Sequence, residues 1–171
     1  MAKKTAAAPT KRILFVEDQP DDTFDEILLA IQEQCPDWEM DFAGGVEDAW
    51  DLLCKNVYDA FVLDVMLPHW PASGQRSEGL FLARALRAPE FRQTAQLPPG
   101  TLKPENARAT IVFLTARNAE GVWKEIGTLS MPGVARQQVI GKFDGDAVQL
   151  AKGIVSCIRD KAAPVEAHPH D

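Results

Sequence analysis

The chain has 171 residues and a formal net charge of −7, which allows one domain with a substantial core and tails, but not two comfortable domains. The acid excess excludes a nucleic-acid surface built on clustered Lys and Arg. No apolar run approaches the roughly 20 residues that cross a bilayer, and MAKKTAAAPTKR lacks the apolar segment of a secretory signal, so a cytoplasmic location is expected.

In chain order, residues 1–10 read as a disordered tail, residues 11–160 as the domain, and residues 161–171 as a loose C-terminal tail. RILFVED is a buried-strand run that ends in the acidic pair Glu17 and Asp18, followed by Pro20 at a plausible helix start. Phe24, Ile27, Leu28 and Ile31 then recur at helical spacing, and WEMDFA predicts a second strand. Val46, Ala49, Trp50 and Leu53 form the next apolar helix stripe, and the run YDAFVLD predicts a strand closing in Asp64. A helix is expected from Ser77 to about Ala88, a strand from Ala109 to Thr115, and a helix from near Asn118 to about Gly127. QQVIGK predicts a fifth strand ending in Lys142, and Ala147, Leu150, Ala151, Ile154, Val155 and Ile158 give the last helix a broad apolar face. Five repeats of strand then helix predict an α/β domain with a parallel sheet covered on both sides.

Two stretches interrupt the repeat, at about 69–78 and 89–107, and loops of this length are usually functional or mobile, the alternative being insertions without a role. Pro89, Pro98, Pro99 and Pro104 disfavour regular structure in the second, and only Phe91, Leu97 and Leu102 offer substantial apolar surface. It is therefore expected as a mobile or partner-binding excursion outside the core. Cys35, Cys54 and Cys157 are odd in number, far apart and set among apolar residues, which suits reduced packing thiols. His69, His168 and His170 fall in loop or tail positions, where solvation is expected.

In an open parallel sheet the C-terminal strand edges line one crevice. The endings Glu17-Asp18, Asp64, Thr115 and Lys142 would converge there, and acids, a hydroxyl and an amine suit Mg²⁺ and a phosphoryl group. Taken singly, a strand-terminal Asp also suits a helix N-cap, a Thr suits a core strand, and a Lys suits solvent.

The ordered set of ILFVEDQPDD, VLDVMLP, FLTAR and VIGKF, from about Arg12 to Arg159, resembles the receiver domain of two-component response regulators. The resemblance implies a (βα)5 flavodoxin-like, doubly wound parallel sheet with strand order 2-1-3-4-5. It implies phosphorylation of Asp64 by a histidine kinase or phosphotransfer protein. Mg²⁺ would be held directly by Asp18 and Asp64, through water by Glu17, and by the main-chain carbonyl of Met66. Lys142 would neutralise phosphoryl oxygens, and Thr115 would hydrogen-bond the phosphoryl group and report it to the surface. Such a stand-alone module is a signalling protein rather than an enzyme, limited to self-phosphotransfer and autodephosphorylation, with a downstream protein as its second partner.

Three departures stand out. Phe143 replaces the usual proline after the lysine, and a cis non-proline bond costs about 3 kcal/mol, so this loop is expected to be reshaped. Val139 stands where an aromatic switch is common, and the insertions place about fifty residues between Asp64 and Thr115. Phe143 and Val139 favour, as an alternative, a receiver-like interaction domain that phosphorylation does not switch, and the insertions suggest that partner recognition has moved to that excursion. A Mg²⁺-dependent aspartyl-nucleophile phosphohydrolase of the haloacid dehalogenase type would carry DxD after the first strand, where this chain has Glu17-Asp18.

Overall fold

Strand and helix alternate through the computed structural model, which describes residues 11–67, 78–129, 131 and 133–160. The elements are β1 (Lys11–Val16), α1 (Asp22–Gln34), β2 (Trp38–Ala43), α2 (Val46–Lys55), β3 (Ala60–Leu63), α3 (Glu78–Arg87), α4 (Pro89–Thr94), β4 (Thr110–Thr115), α5 (Ala119–Thr128), β5 (Val139–Gly141) and α6 (Ala147–Arg159). Short 3-10 turns at Pro104–Arg108 and Arg136–Gln138 precede β4 and β5. The tails, the three histidines and nearly all of the first long loop lie outside the described residues.

All strand pairs are parallel, and the order is β2-β1-β3-β4-β5. This is the flavodoxin-like, doubly wound sheet that the sequence implied. Strand alternation divides the core into two. Leu14, Val16, Phe61, Leu63, Ile111, Phe113 and Val139 face the apolar stripes of α2, α3 and α5. Ile13, Phe15, Ala60, Val62, Val112 and Leu114 face α1 and α6. No helix among the described residues is long and apolar enough to cross a membrane.

Helix starts follow local chemistry. Asp21 caps α1 by accepting from Phe24 N at 2.9 Å, Asn118 caps α5 through Gly121 N at 2.8 Å, and Asp146 and Gln149 form a reciprocal capping box on α6. Part of the acidity after β1 is thus structural.

The second long stretch corrects the expectation of an excursion outside the core. Pro89 and Pro104 open short helical turns, at positions whose N–H groups would have no helical partner anyway. Phe91, Leu97 and Leu102 pack against the α2–α3–α5 core, and the ring of Phe91 meets Phe81 edge-on while the Arg84 guanidinium lies 4.3 Å from its centroid. Asn106 is fully buried: its Nδ2 donates to Leu53 O and Asn56 O, both at 2.8 Å, and its Oδ1 accepts from Tyr58 N at 2.8 Å. Gly100 has φ +118°, and a Cβ there would press on Cys54 Sγ at 2.8 Å. The segment closes the N-terminal edge of β3 and β4, opposite to the strand ends that carry the acids.

Asn106→Ala would leave one buried donor and two buried acceptors without this partner, at about 1–3 kcal/mol each. Urea unfolding is expected to show a loss of about 3 kcal/mol or more. A loss below about 0.5 kcal/mol, the size of an ordinary surface change, would mean that the segment is peripheral after all.

Candidate functional site

Sheet hydrogen bonding runs one step past several strand ends, and that step sets the site. Glu17 N donates to Ala43 O at 3.0 Å, Asp64 N to Val16 O at 2.9 Å, and Lys142 N to Thr115 O at 2.7 Å. Each backbone is therefore fixed by the last carbonyl of a neighbouring strand. Thr115 is fully buried as the final residue of β4.

Behind Asp64, a glycine lets α3 approach. Gly79 N donates to Val65 O at 3.1 Å, and a Cβ on Gly79 would collide with the Asp64 carbonyl. Any larger residue there would push the Asp64 loop off the sheet.

The side chains meet in a small acidic cluster. Lys142 Nζ donates to Glu17 Oε2 at 2.7 Å and to Asp64 Oδ2 at 3.0 Å. Asp64 Oδ1 accepts from Met66 N at 3.0 Å, and Glu17 Oε1 accepts from Gln19 N at 3.1 Å. One oxygen from each of Glu17, Asp18 and Asp64 lies within 4.8 Å of the others. The side chains of Glu17 and Asp64 are each only 6% exposed.

Burial pushes the Glu17 carboxyl above its usual range, and the charge of Asp64 adds to this against the opposing hydrogen bond from Lys142. Burial alone would lower Lys142, but the two carboxylates outweigh it and hold the ammonium above the usual lysine range. Two carboxylates thus share one ammonium, with Asp18 beside them. Such an all-oxygen, charge-deficient set fits Mg²⁺, which prefers hard oxygen ligands and keeps several waters. A cavity of about 440 Å³ opens beside Glu17 and Asp18, walled by Phe24, Leu28 and Phe42, so the acids can be reached from outside.

No family model and no curated protein matches the sequence. Solved structures do share its architecture. A sensor protein from Polaromonas sp. JS666 is 21% identical with a TM-score of 0.57, over 90% of this chain and 100% of that one. The chemotaxis response regulator CheY4 of Vibrio cholerae is 15% identical with a TM-score of 0.55, over 86% and 98%. The BeF3-activated N-terminal receiver domain of Klebsiella pneumoniae RstA is 22% identical with a TM-score of 0.51, over 85% and 97%. The chain has the receiver-domain fold.

On this receiver fold, Glu17, Asp18, Asp64 and Lys142 come together as the sequence suggested. Thr115 borders them through its carbonyl, while its Oγ1 accepts from Arg117 N at 3.0 Å. The contact seen for Met66 is made by its amide. Phe143 is 84% exposed, no peptide bond among the described residues is cis, and Asp144 N closes a turn onto Gly141 O at 3.1 Å. The loop thus accommodates Phe143 without withdrawing Lys142. Val139 is buried against the core and carries no ring.

Two contributors escaped sequence reasoning. Gly79 gave no signal beyond its place beside Glu78 in SEGLF. Arg117 stood in FLTAR, two residues after Thr115, and its Nη2 pairs with Glu125 Oε2 on α5 at 2.8 Å.

Because the folded protein holds the Glu17 proton more tightly than the unfolded chain, Glu17 removes stability as pH rises through about 4.5, completely so above its raised folded value. In metal-free buffer, the melting temperature of Glu17→Gln minus that of the parent is expected to grow between pH 4 and 7, two values chosen to span roughly this titration. A difference that shrinks or reverses would contradict this electrostatic account.

Proposed function

We propose that the chain is a phosphoacceptor module that takes a phosphoryl group on Asp64 from the phosphohistidine of a histidine kinase or phosphotransfer protein and signals by binding a further protein. The observation that carries this reading is the Lys142 ammonium held between Asp64 and Glu17, with a carboxylate oxygen of Asp18 close to both acids. The receiver fold and the BeF3-activated state named for the RstA domain support it by analogy.

An oxygen of the Asp64 carboxylate forms the new O–P bond as the donor's N–P bond breaks, and the imidazole nitrogen retains the electron pair. The Met66 amide orients the carboxylate through its Oδ1. Lys142 would offset negative charge as two anions approach, and the buried hydroxyl of Thr115 would donate to the phosphoryl group. Asp18 and Asp64 would hold Mg²⁺, with Glu17 a water-bridged partner and the Met66 carbonyl a further ligand. When bound, the metal supplies charge neutralisation at the phosphoryl oxygens. The acyl phosphate ends by hydrolysis, so turnover of a separate substrate is not part of the function.

The buried Val139, with no ring to turn, favours a second reading in which the same fold binds a partner without being switched. Acetyl phosphate with Mg²⁺ decides between them. The intact mass is expected to rise by one phosphoryl group, and both chelation of Mg²⁺ and Asp64→Asn should abolish the gain. Full labelling of Asp64→Asn would sink the assignment, and no labelling of the parent would favour the unswitched domain.

Metal binding carries its own ranking. Glu17→Ala is expected to weaken Mg²⁺ about tenfold, the usual effect of losing an outer-shell partner, and Asp18→Ala is expected to weaken it far more. Titration calorimetry giving equal losses would refute the ranking.

A further inference from the structure

Between α1 and the edge strand β2 the fold leaves an apolar groove open. Phe24 and Leu28 of α1 and Phe42 of β2 wall the cavity of about 440 Å³, and Asp18 and Asp25 also line it. Phe42 stacks on the buried Phe15 ring with centroids 5.7 Å apart and is nevertheless 52% exposed, while Leu29, next to Leu28 on α1, is 59% exposed. Exposed apolar surface with a polar rim marks interaction sites.

The charge around this groove is one-sided. From Glu17 to Asp51 the chain has thirteen acidic residues and no Lys, Arg or His, although its net charge is only −7, so the rest of the chain is net positive. Helix dipoles account for part of this, because Asp22, Asp25, Glu47 and Asp48 sit in first helical turns. They do not account for Glu33, which lies in the last turn of α1, where the dipole favours a cation and no base is present. Arg12 answers Glu39 and Asp41, Lys55 answers Asp51, and Lys142 answers Glu17. Among the described residues no Lys or Arg pairs with Asp25, Glu26 or Glu33.

We propose that this groove docks a basic amphipathic segment of a partner protein. One large apolar side chain of that segment seats between Phe24, Leu28 and Phe42, and flanking Lys or Arg residues face Asp25 and the acids around it. The docking does not depend on phosphorylation of Asp64.

Shape and charge select this occupant together. The cavity is at the small end of ligand pockets, and an aromatic or aliphatic anchor seated in such a pocket carries much of the energy of an interface. The surrounding field draws in cationic segments and repels acidic ones, including nucleic acid and anionic lipid. The chain's own exposed ring beside a base is Phe143, but the neighbouring Lys142 is committed to Glu17 and Asp64, which disfavours a second copy as the occupant.

The test uses the full chain and a fluorescent peptide of Leu and Lys in which Leu recurs every three or four residues, read by anisotropy. Two control peptides carry Glu for Lys or Ser for Leu, and only the first peptide is expected to saturate the protein. Phe42→Ser changes no charge and should weaken binding about tenfold, a scale that matches loss of an anchor contact. Phe42→Leu should recover most of the affinity, which separates loss of apolar contact from loss of folding. Asp25→Asn should weaken binding several-fold and flatten its salt dependence, while Glu105→Gln, at the opposite edge of the sheet, should stay within twofold of the parent.

No saturable binding, equal binding of the Ser-substituted peptide, or a Phe42→Ser effect within twofold would overturn the proposal. Self-association of the chain that Phe42→Ser abolishes would overturn it as well, because a second copy would then fill the groove.

Discussion

A single ammonium between two nearly buried carboxylates governs this site. Lys142 reaches Glu17 and Asp64 at once, with Asp18 beside them, and burial makes each negative charge costly unless something positive answers it. The raised Glu17 carboxyl shows that Lys142 answers it only in part. That residual deficit suits a divalent cation and gives the strand ends a chemistry that an ordinary hydrogen-bonded turn would lack.

The fold imposes this crowding. In a parallel sheet, β1 and β3 finish side by side, and the ladder continues one bond beyond Val16 and Thr115 to fix Asp64 and Lys142. Gly79 then allows α3 to close directly behind Asp64. The opposite edge of the sheet has a different task. There Asn106 ties the inserted segment to the end of α2 and the start of β3, so the long connection between α3 and β4 packs as part of the domain. The segment lies away from the acids, and its role in the structure is to cover apolar surface.

Some of this was legible in the residues alone. Runs such as RILFVED and ATIVFLT, each closing in a polar group, carried the parallel strands and the site together, because buried parallel strands read as continuous apolar runs, while the strand order came from the family resemblance. The inserted segment was misread because its prolines were weighed as breakers, whereas Pro89 and Pro104 begin helical turns. Its buried Asn106 bonds to residues about fifty positions earlier, a relation that periodicity does not register. The Arg117–Glu125 pair was hidden for a similar reason, since it joins a loop to a helix rather than lying on one face. Phe143 suggested a reshaped loop, but the Gly141–Asp144 turn keeps Lys142 in reach while leaving the ring in solvent.

The central claim is that these strand ends make the Asp64 carboxylate a phosphoryl acceptor. Borohydride reduction of the protein after loading with acetyl phosphate and Mg²⁺ converts an aspartyl phosphate to homoserine, and peptide sequencing by mass spectrometry then locates the change. The account predicts homoserine at position 64 and at no other aspartate. Homoserine at Asp18, or anywhere outside this cluster, would contradict it.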